Sequence, residues 1–418
     1  MSSTTQTPTT QTPPALVPPR RHRSADARGR RMGRLLRIYW RLSEPSEDDL
    51  ELLGRHLMMR DEPAAALVRA MRLPKEDAAR VTMAQFQAAL ESGVTDQSPE
   101  ALRSFFALVE DTPDWVDPDL CEHGATVFRR FGQNADDVLL QLSLIGGYRF
   151  GGPVDLLAET GGLSGSTTRR RLGETQTWAI AVGQRDGMVR GGAGWKLTVH
   201  VRLMHALVNE AFERNGRWDS SEWGLPINQT DLASTLNLFS GALMMGVRAL
   251  GVPISKDDSR ALMHLWKYVG WLIGVDDDWL FDDERDQHQL SYAILLSQTD
   301  VTDAGGQLAR ALVDVQDELH YRFVHRISAR YTRERLLSML EGFLGTESMR
   351  DLTLPQRLPW AFGTAWVRNT INYRLIGPTP IGGRYLEWRG QRARDRARYR
   401  HFGNDGAEIG SLPIGRHG

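Results

Sequence analysis

Two stretches of the sequence bring together residue types that can do chemistry. In the first, Arg171, Glu174, Thr175 and Trp178 stand at i, i+3, i+4 and i+7, so a helix over 166–183 presents them on one face. A guanidinium can hold an anion, a carboxyl can take up a proton, and a hydroxyl can donate to a ligand. The same spacing also describes a plain surface pair of Arg171 with Glu174, the commoner reading of the pattern by itself. In the second stretch, 197–214, His205 shares a face with Val201, Arg202, Val208, Asn209 and Phe212. A neutral imidazole among apolar neighbours can ligate a metal or haem iron. A core histidine bonded to a carbonyl fits that pattern too.

His200 lies about 140° round the helix from His205, so the two cannot grip one ion as an i, i+4 pair would. His320 and His325 have the same spacing, and there is no His-Glu-x-x-His motif. A third feature is acidic: Asp276, Asp277, Asp278, Asp282, Asp283, Glu284 and Asp286. Dense carboxylates can hold Mg²⁺ for isoprenoid-diphosphate chemistry, in which Asp277 and Asp278 would matter. The spacing departs from Asp-Asp-x-x-Asp, and the cluster follows a helix end at Gly274, where solvated loop charges are ordinary. The single cysteine, Cys121, allows no intrachain disulfide and no cysteine-rich metal site, and reads as a buried thiol. No P-loop, dinucleotide-binding glycine motif or Gly-x-Ser-x-Gly elbow is present.

The elements that must position these residues are helices. Apolar residues recur at three and four over 136–146, 166–183, 197–214, 229–250, 256–273 and 305–325, and alternating runs are scarce. Asn228 or Thr230 is placed to cap the helix through Leu250, and Ser255 the next one, which ends at Gly274. The glycine-rich stretch 185–194 reads as the loop joining the two helices of interest. The expected class is all-α: one large helical domain over 29–385, a disordered tail over 1–28, and a basic C-terminal extension over 386–418 that begins as a solvated helix and fades after Gly403.

Composition agrees. Of 418 residues 41% are apolar and twelve are Trp, ample for a core, and the net charge of −1 gives no global attraction to nucleic acid. No apolar run is long enough to span a membrane. Arg30-Arg31 is not followed by an apolar export segment, because Arg34, Arg37 and Arg41 interrupt it, and a cytoplasmic location is expected. The sharper reading of this basic N-terminus is a peripheral membrane contact.

The ordered motifs resemble the oxygenase MpaB and rubber oxygenase (latex clearing protein) family. They are Arg171-Leu-Gly-Glu-Thr175, Val201-Arg-Leu-Met-His205, Phe239-Ser-Gly with Leu250-Gly-Val-Pro253, and Trp266 through Asp277. The resemblance covers about residues 100–380 and implies a globin-like helical core holding haem b. It implies that His205 ligates the iron and that Arg171 and Thr175 lie near the haem, with Arg202 a further candidate for the propionates. It implies oxygenation or cleavage of a C=C bond in an apolar, isoprenoid-like substrate by O₂. Glu174 stands where rubber oxygenases can carry a Lys on the distal side of the iron, so it is a candidate base. A Mg²⁺-dependent diphosphate enzyme and a non-catalytic haem- or lipid-binding protein are the alternatives.

Overall fold

A computed structural model describes residues 16–161, 165–321 and 324–403, with the side chains of Gly165, Ser166 and Pro380 left aside. Among the described residues there is no β-strand, and no helix is long and apolar enough to cross a membrane.

The first helices are α1 (Asp26–Trp40), α2 (Glu47–His56), α3 (Glu62–Met71), α4 (Met83–Ser92), α5 (Glu100–Glu110) and α6 (Pro118–Phe131). Next come α7 (Gln133–Val138), α8 (Pro153–Glu159), α9 (Gly165–Val182), α10 (Ala193–Asn215) and the single turn α11 (Ser220–Trp223). The chain continues through α12 (Gln229–Phe239), α13 (Gly241–Ala249), α14 (Lys256–Ile273), α15 (Glu284–Ser297) and α16 (Asp303–Asp314). It ends with α17 (His325–Asp351), α18 (Trp360–Asn369) and α19 (Pro380–Phe402).

Helix α14 is the spine. The six consecutive residues Ala261, Leu262, Met263, His264, Leu265 and Trp266 are all buried and between them cover every side of it, which fits its position inside the main core. Its neighbour α6 approaches so closely that a Cβ on Gly124 would meet the Ala261 carbonyl oxygen at 2.3 Å. A second, smaller apolar cluster joins Ile145 and Tyr148 from the segment before α8 with Leu308 and Leu312 of α16 and Leu336 and Leu340 of α17.

The expected helices are present, with differences that tertiary contacts explain. Asn228 is the cap that accepts from the Asp231 amide, whereas the Thr230 hydroxyl donates instead to the Leu53 carbonyl. The helix expected over 229–250 breaks at Ser240. There Gln287 of α15 accepts from the Ser240 hydroxyl (2.8 Å) and the Gly241 amide (3.0 Å). The helix expected over 136–146 is α7 followed by a widened π-helical stretch, Leu139–Ile145. The one expected over 305–325 stops as α16 at Asp314 and tightens into a 3-10 turn, Val315–Asp317; residues 322 and 323 lie outside the described residues.

Both termini differ from the expected tails. Residues 1–15 lie outside the described residues, but 16–25 are packed against the body. Arg21 is 4% exposed, donates to Asp231 at 2.5 Å and passes beside Gly152, whose φ of +98° and missing Cβ leave it room. At the other end α19 is not simply solvated: Leu386, Ala393 and Ala397 are buried and Gly390 rests on the Arg129 carbonyl of α6.

Candidate functional site

A cavity of about 840 Å³ opens where the main core meets the smaller cluster. That volume falls within the usual range for small-molecule and cofactor sites. Most of its wall is aliphatic or aromatic, including Leu140, Leu144, Ile180, Met204, Val208, Leu236 and Phe239.

The two helices singled out by spacing pack on each other and both line this space. Arg171, Glu174, Thr175 and Trp178 of α9 all line it, as do Val201, His205 and Val208 of α10. Trp178 locks the pair together: its indole N–H donates to the Thr198 hydroxyl at 3.0 Å, and its ring packs edge-on against Phe239 and Trp266. Thr198 donates in turn to the Gly194 carbonyl one turn back.

His205 is enclosed by protein, and burial depresses its pKa to about 4, so the imidazole is neutral at physiological pH. Its Nδ1 is buried without a hydrogen-bond partner. A buried, unsatisfied polar atom costs stability unless something fills the site.

Arg171 donates to the Leu157 carbonyl, the Thr160 hydroxyl (3.0 Å) and the Thr160 carbonyl (2.8 Å), which ties α9 to the C-terminal end of α8. None of these partners is anionic, so its charge remains uncompensated by direct pairing. Glu174 lies 3.6 Å from Arg170, and partial burial still raises its pKa. Thr175 lines the cavity and makes no side-chain hydrogen bond among the described residues.

The structure does not bring Arg202 to this space. Its guanidinium grips Asp61, the cap of α3, in a bidentate pair of 2.6 and 2.9 Å, and reaches toward the Leu272 carbonyl at 3.4 Å. Arg202 therefore anchors α10 from behind. The acidic stretch is also elsewhere. Lys267 holds Asp282 at 2.6 Å, Asp283 caps α15, and none of the seven carboxylates lines the cavity. Among the described residues no three His, Cys, Asp or Glu side chains gather as a metal site. Burial pushes the Cys121 thiol up to about 12, so it stays protonated.

Several polar wall residues carry no motif. Asp136 and Asp137 both line the cavity, but in different states. Arg335 of α17 holds Asp137 in a bidentate pair of 2.8 and 2.5 Å. Asp136 receives only a long bond from Gln176 (3.4 Å), and burial raises its pKa to about 7, aided by its neighbour Asp137. Asn237 is 5% exposed, and neither atom of its amide has a partner. On the far wall α19 contributes Ala393, Arg394, Ala397, Arg400 and His401. The available sequence signal was the pair of adjacent acids inside an apolar run at 136–146. Asn237 and the α19 residues gave none, because their side chains acquire meaning only from what faces them.

Residues 135–372 match the family described as the catalytic domain of ER-bound oxygenase mpaB/B′ and rubber oxygenase. The chain belongs to this family. A rubber oxygenase of Streptomyces sp. (strain K30) is 22% identical over 190 residues, a stretch that spans 44% of this chain and 45% of that protein. A solved structure of latex clearing protein in its closed state has the same fold, with a TM-score of 0.55 at 18% identity over 81% of this chain and 90% of the other. The matched residues include both α9 and α10. The cavity is completed from outside them, by Phe128, Arg129 and Gly132 on one side and by α19 on the other.

Proposed function

We propose that this chain is a haem b-dependent oxygenase that uses O₂ on a C=C bond of an apolar, isoprenoid-like substrate. The observation that carries this reading is His205: a neutral imidazole in the wall of a large apolar cavity. That donor fits haem, which needs one neutral nitrogen from the protein and an apolar slot for its ring. Family membership adds support.

His205 would hold the iron from α10, and bound haem would supply the redox chemistry of O₂. This chain's own residues set the surroundings. The Trp178–Thr198 bond and the Arg202–Asp61 pair fix α10 front and back, so the imidazole cannot drift. Arg171 suits a carboxylate such as a propionate, because its present partners are neutral. Thr175 can donate to a ligand in the cavity. Burial raises the pKa of both Glu174 and Asp136, that of Asp136 to about 7, which suits them to take or hold a proton. The aliphatic wall excludes water and favours a hydrocarbon-like substrate.

The test begins with the purified protein supplied with haem. Bound pigment with an intense Soret absorption is expected, and His205→Ala should lose it while keeping its helical circular dichroism. A protein that stays colourless overturns the reading. Pigment without O₂ uptake against a panel of alkenes would leave a haem binder and remove the oxygenase.

A further inference from the structure

The surface at the C-terminal end of the chain combines exposed apolar side chains with arginines that lack an acidic partner. Helix α18 runs through a widened turn, Thr370–Ile376, and reverses into α19. Their outer side carries Val367, Ile371, Leu375, Ile376, Ile381 and Trp388, all exposed, with Leu375 at 70% and Ile381 at 81%. The two stretches are neighbours, because a Cβ on Gly377 would meet the Leu386 side chain at 3.0 Å, and one on Gly382 would run into the Ile376 carbonyl. Clustered large apolar side chains in contact with water mark a docking surface.

Charge identifies what docks. From 360 to 402 the sequence has nine Arg against two acidic residues, Glu387 and Asp395. Glu387 is used by Arg130 of α6. Among the described residues Arg374, Arg384, Arg389, Arg392, Arg396 and Arg398 have no carboxylate within ion-pair distance. Two of them lie over aromatic rings instead: Arg392 is 4.3 Å from the Trp388 ring and Arg389 is 5.6 Å from that of Tyr385. Protruding aliphatics, an exposed Trp and unpaired Arg on one face are the composition of a helix lying at a lipid–water boundary. A nucleic acid would use the arginines and leave Leu375 and Ile381 unburied. A second copy of this face would bring like charges together.

We propose that the outer face of α18, its widened turn and the first half of α19 docks on an anionic lipid surface. The apolar side chains enter the boundary of the acyl chains, and the arginines pair with lipid phosphates. The far half of α19 walls the cavity through Ala393 and Ala397, so docking sets the site beside a reservoir of apolar molecules. Docking does not depend on the haem reading, and it is measured without turnover.

The experiment is co-sedimentation of the full chain with vesicles of phosphatidylcholine alone or mixed with phosphatidylglycerol. Binding is expected on the mixed vesicles and should fall with salt. Leu375→Ser with Ile381→Ser should weaken it about tenfold or more. Arg384→Gln with Arg392→Gln should weaken it about 30-fold on anionic vesicles and leave any weak binding to neutral ones unchanged. These side chains are exposed, so circular dichroism should be unaltered in all variants. Binding no stronger on anionic than on neutral vesicles overturns the proposal. So does a dimer, seen by sedimentation equilibrium without lipid, that Leu375→Ser with Ile381→Ser dissociates. Tighter binding on removal of residues 404–418 would make that segment the occupant of the face and overturn it as well.

Discussion

The two arginine-rich ends of this chain are similar in composition and opposite in state. Between residues 20 and 37 most of the arginines are neutralised from within: Arg20 by Asp219 and Glu222, Arg21 by Asp231, Arg23 by Glu47, Arg28 by Asp351, Arg30 by Asp26 and Glu44, Arg31 by Glu347 and Arg37 by Glu44, with Arg34 the exception among the described residues. Between 374 and 398 they find no such partners among the described residues. The partners at the N-terminal end come from all along the chain, Asp231 and Asp351 among them, so the basic segment works as a strap that fastens α1 to the body. A run of arginine specifies charge only; whether the charge is spent inside or offered outside depends on which carboxylates folding brings near.

The largest expected effect breaks the strap. Arg21→Ala leaves Asp231 buried and unpaired and should cost about 3–5 kcal/mol, read as a large fall in the denaturation midpoint. If it costs no more than Arg384→Ala, for which no measurable change is expected, the contrast between the ends fails.

The next effect sits where the C-terminal segment faces inward. Asp136 has its pKa raised to about 7, chiefly by burial, while Arg400 and Arg394 of α19 pull it the other way. The native state therefore holds a proton that the unfolded chain releases near pH 4, and stability falls as pH rises toward 7. Asp136→Asn removes that loss and should be worth up to about 4 kcal/mol above pH 7, fading to nothing near pH 4. Equal stability curves for the two proteins between those pH values would place Asp136 in contact with water. Arg394→Gln should move the same titration further up, visible as a shift of the stability curve to higher pH.

His205 titrates in the opposite sense. Its pKa is depressed to about 4, so the native state resists protonation and stability falls as pH drops from about 6.5 toward 4. In His205→Leu that acid branch should flatten, while the branch due to Asp136 remains. The smallest effect belongs to the strap's outer rim: Arg31→Ala, from an exposed pair with Glu347, should leave the denaturation midpoint unchanged within error.

The helix periods and caps, and the shared face of Arg171, Glu174, Thr175 and Trp178, were legible because a single helix fixes the spacing of its own side chains. That His205 lines the same cavity was suggested by motif order and is produced by packing of α9 on α10. Arg202 shows the limit. It lies one turn from His205, which brings it close along the helix, but Asp61 holds it on the other side. Asp136 and Asp137 are adjacent in sequence and chemically alike, yet Arg335, some two hundred residues away, pairs with Asp137 while burial raises the pKa of Asp136.

Sequence by itself determined the class of the fold, the positions of its helices and a short set of residues able to do chemistry. These properties come from local periodicity and side-chain type. The tertiary structure decided which of those residues line the cavity, which carboxyl has its pKa raised and which arginines remain free. Those outcomes depend on partners distant in sequence and on the loss of water around each group, and neither is encoded at a single position.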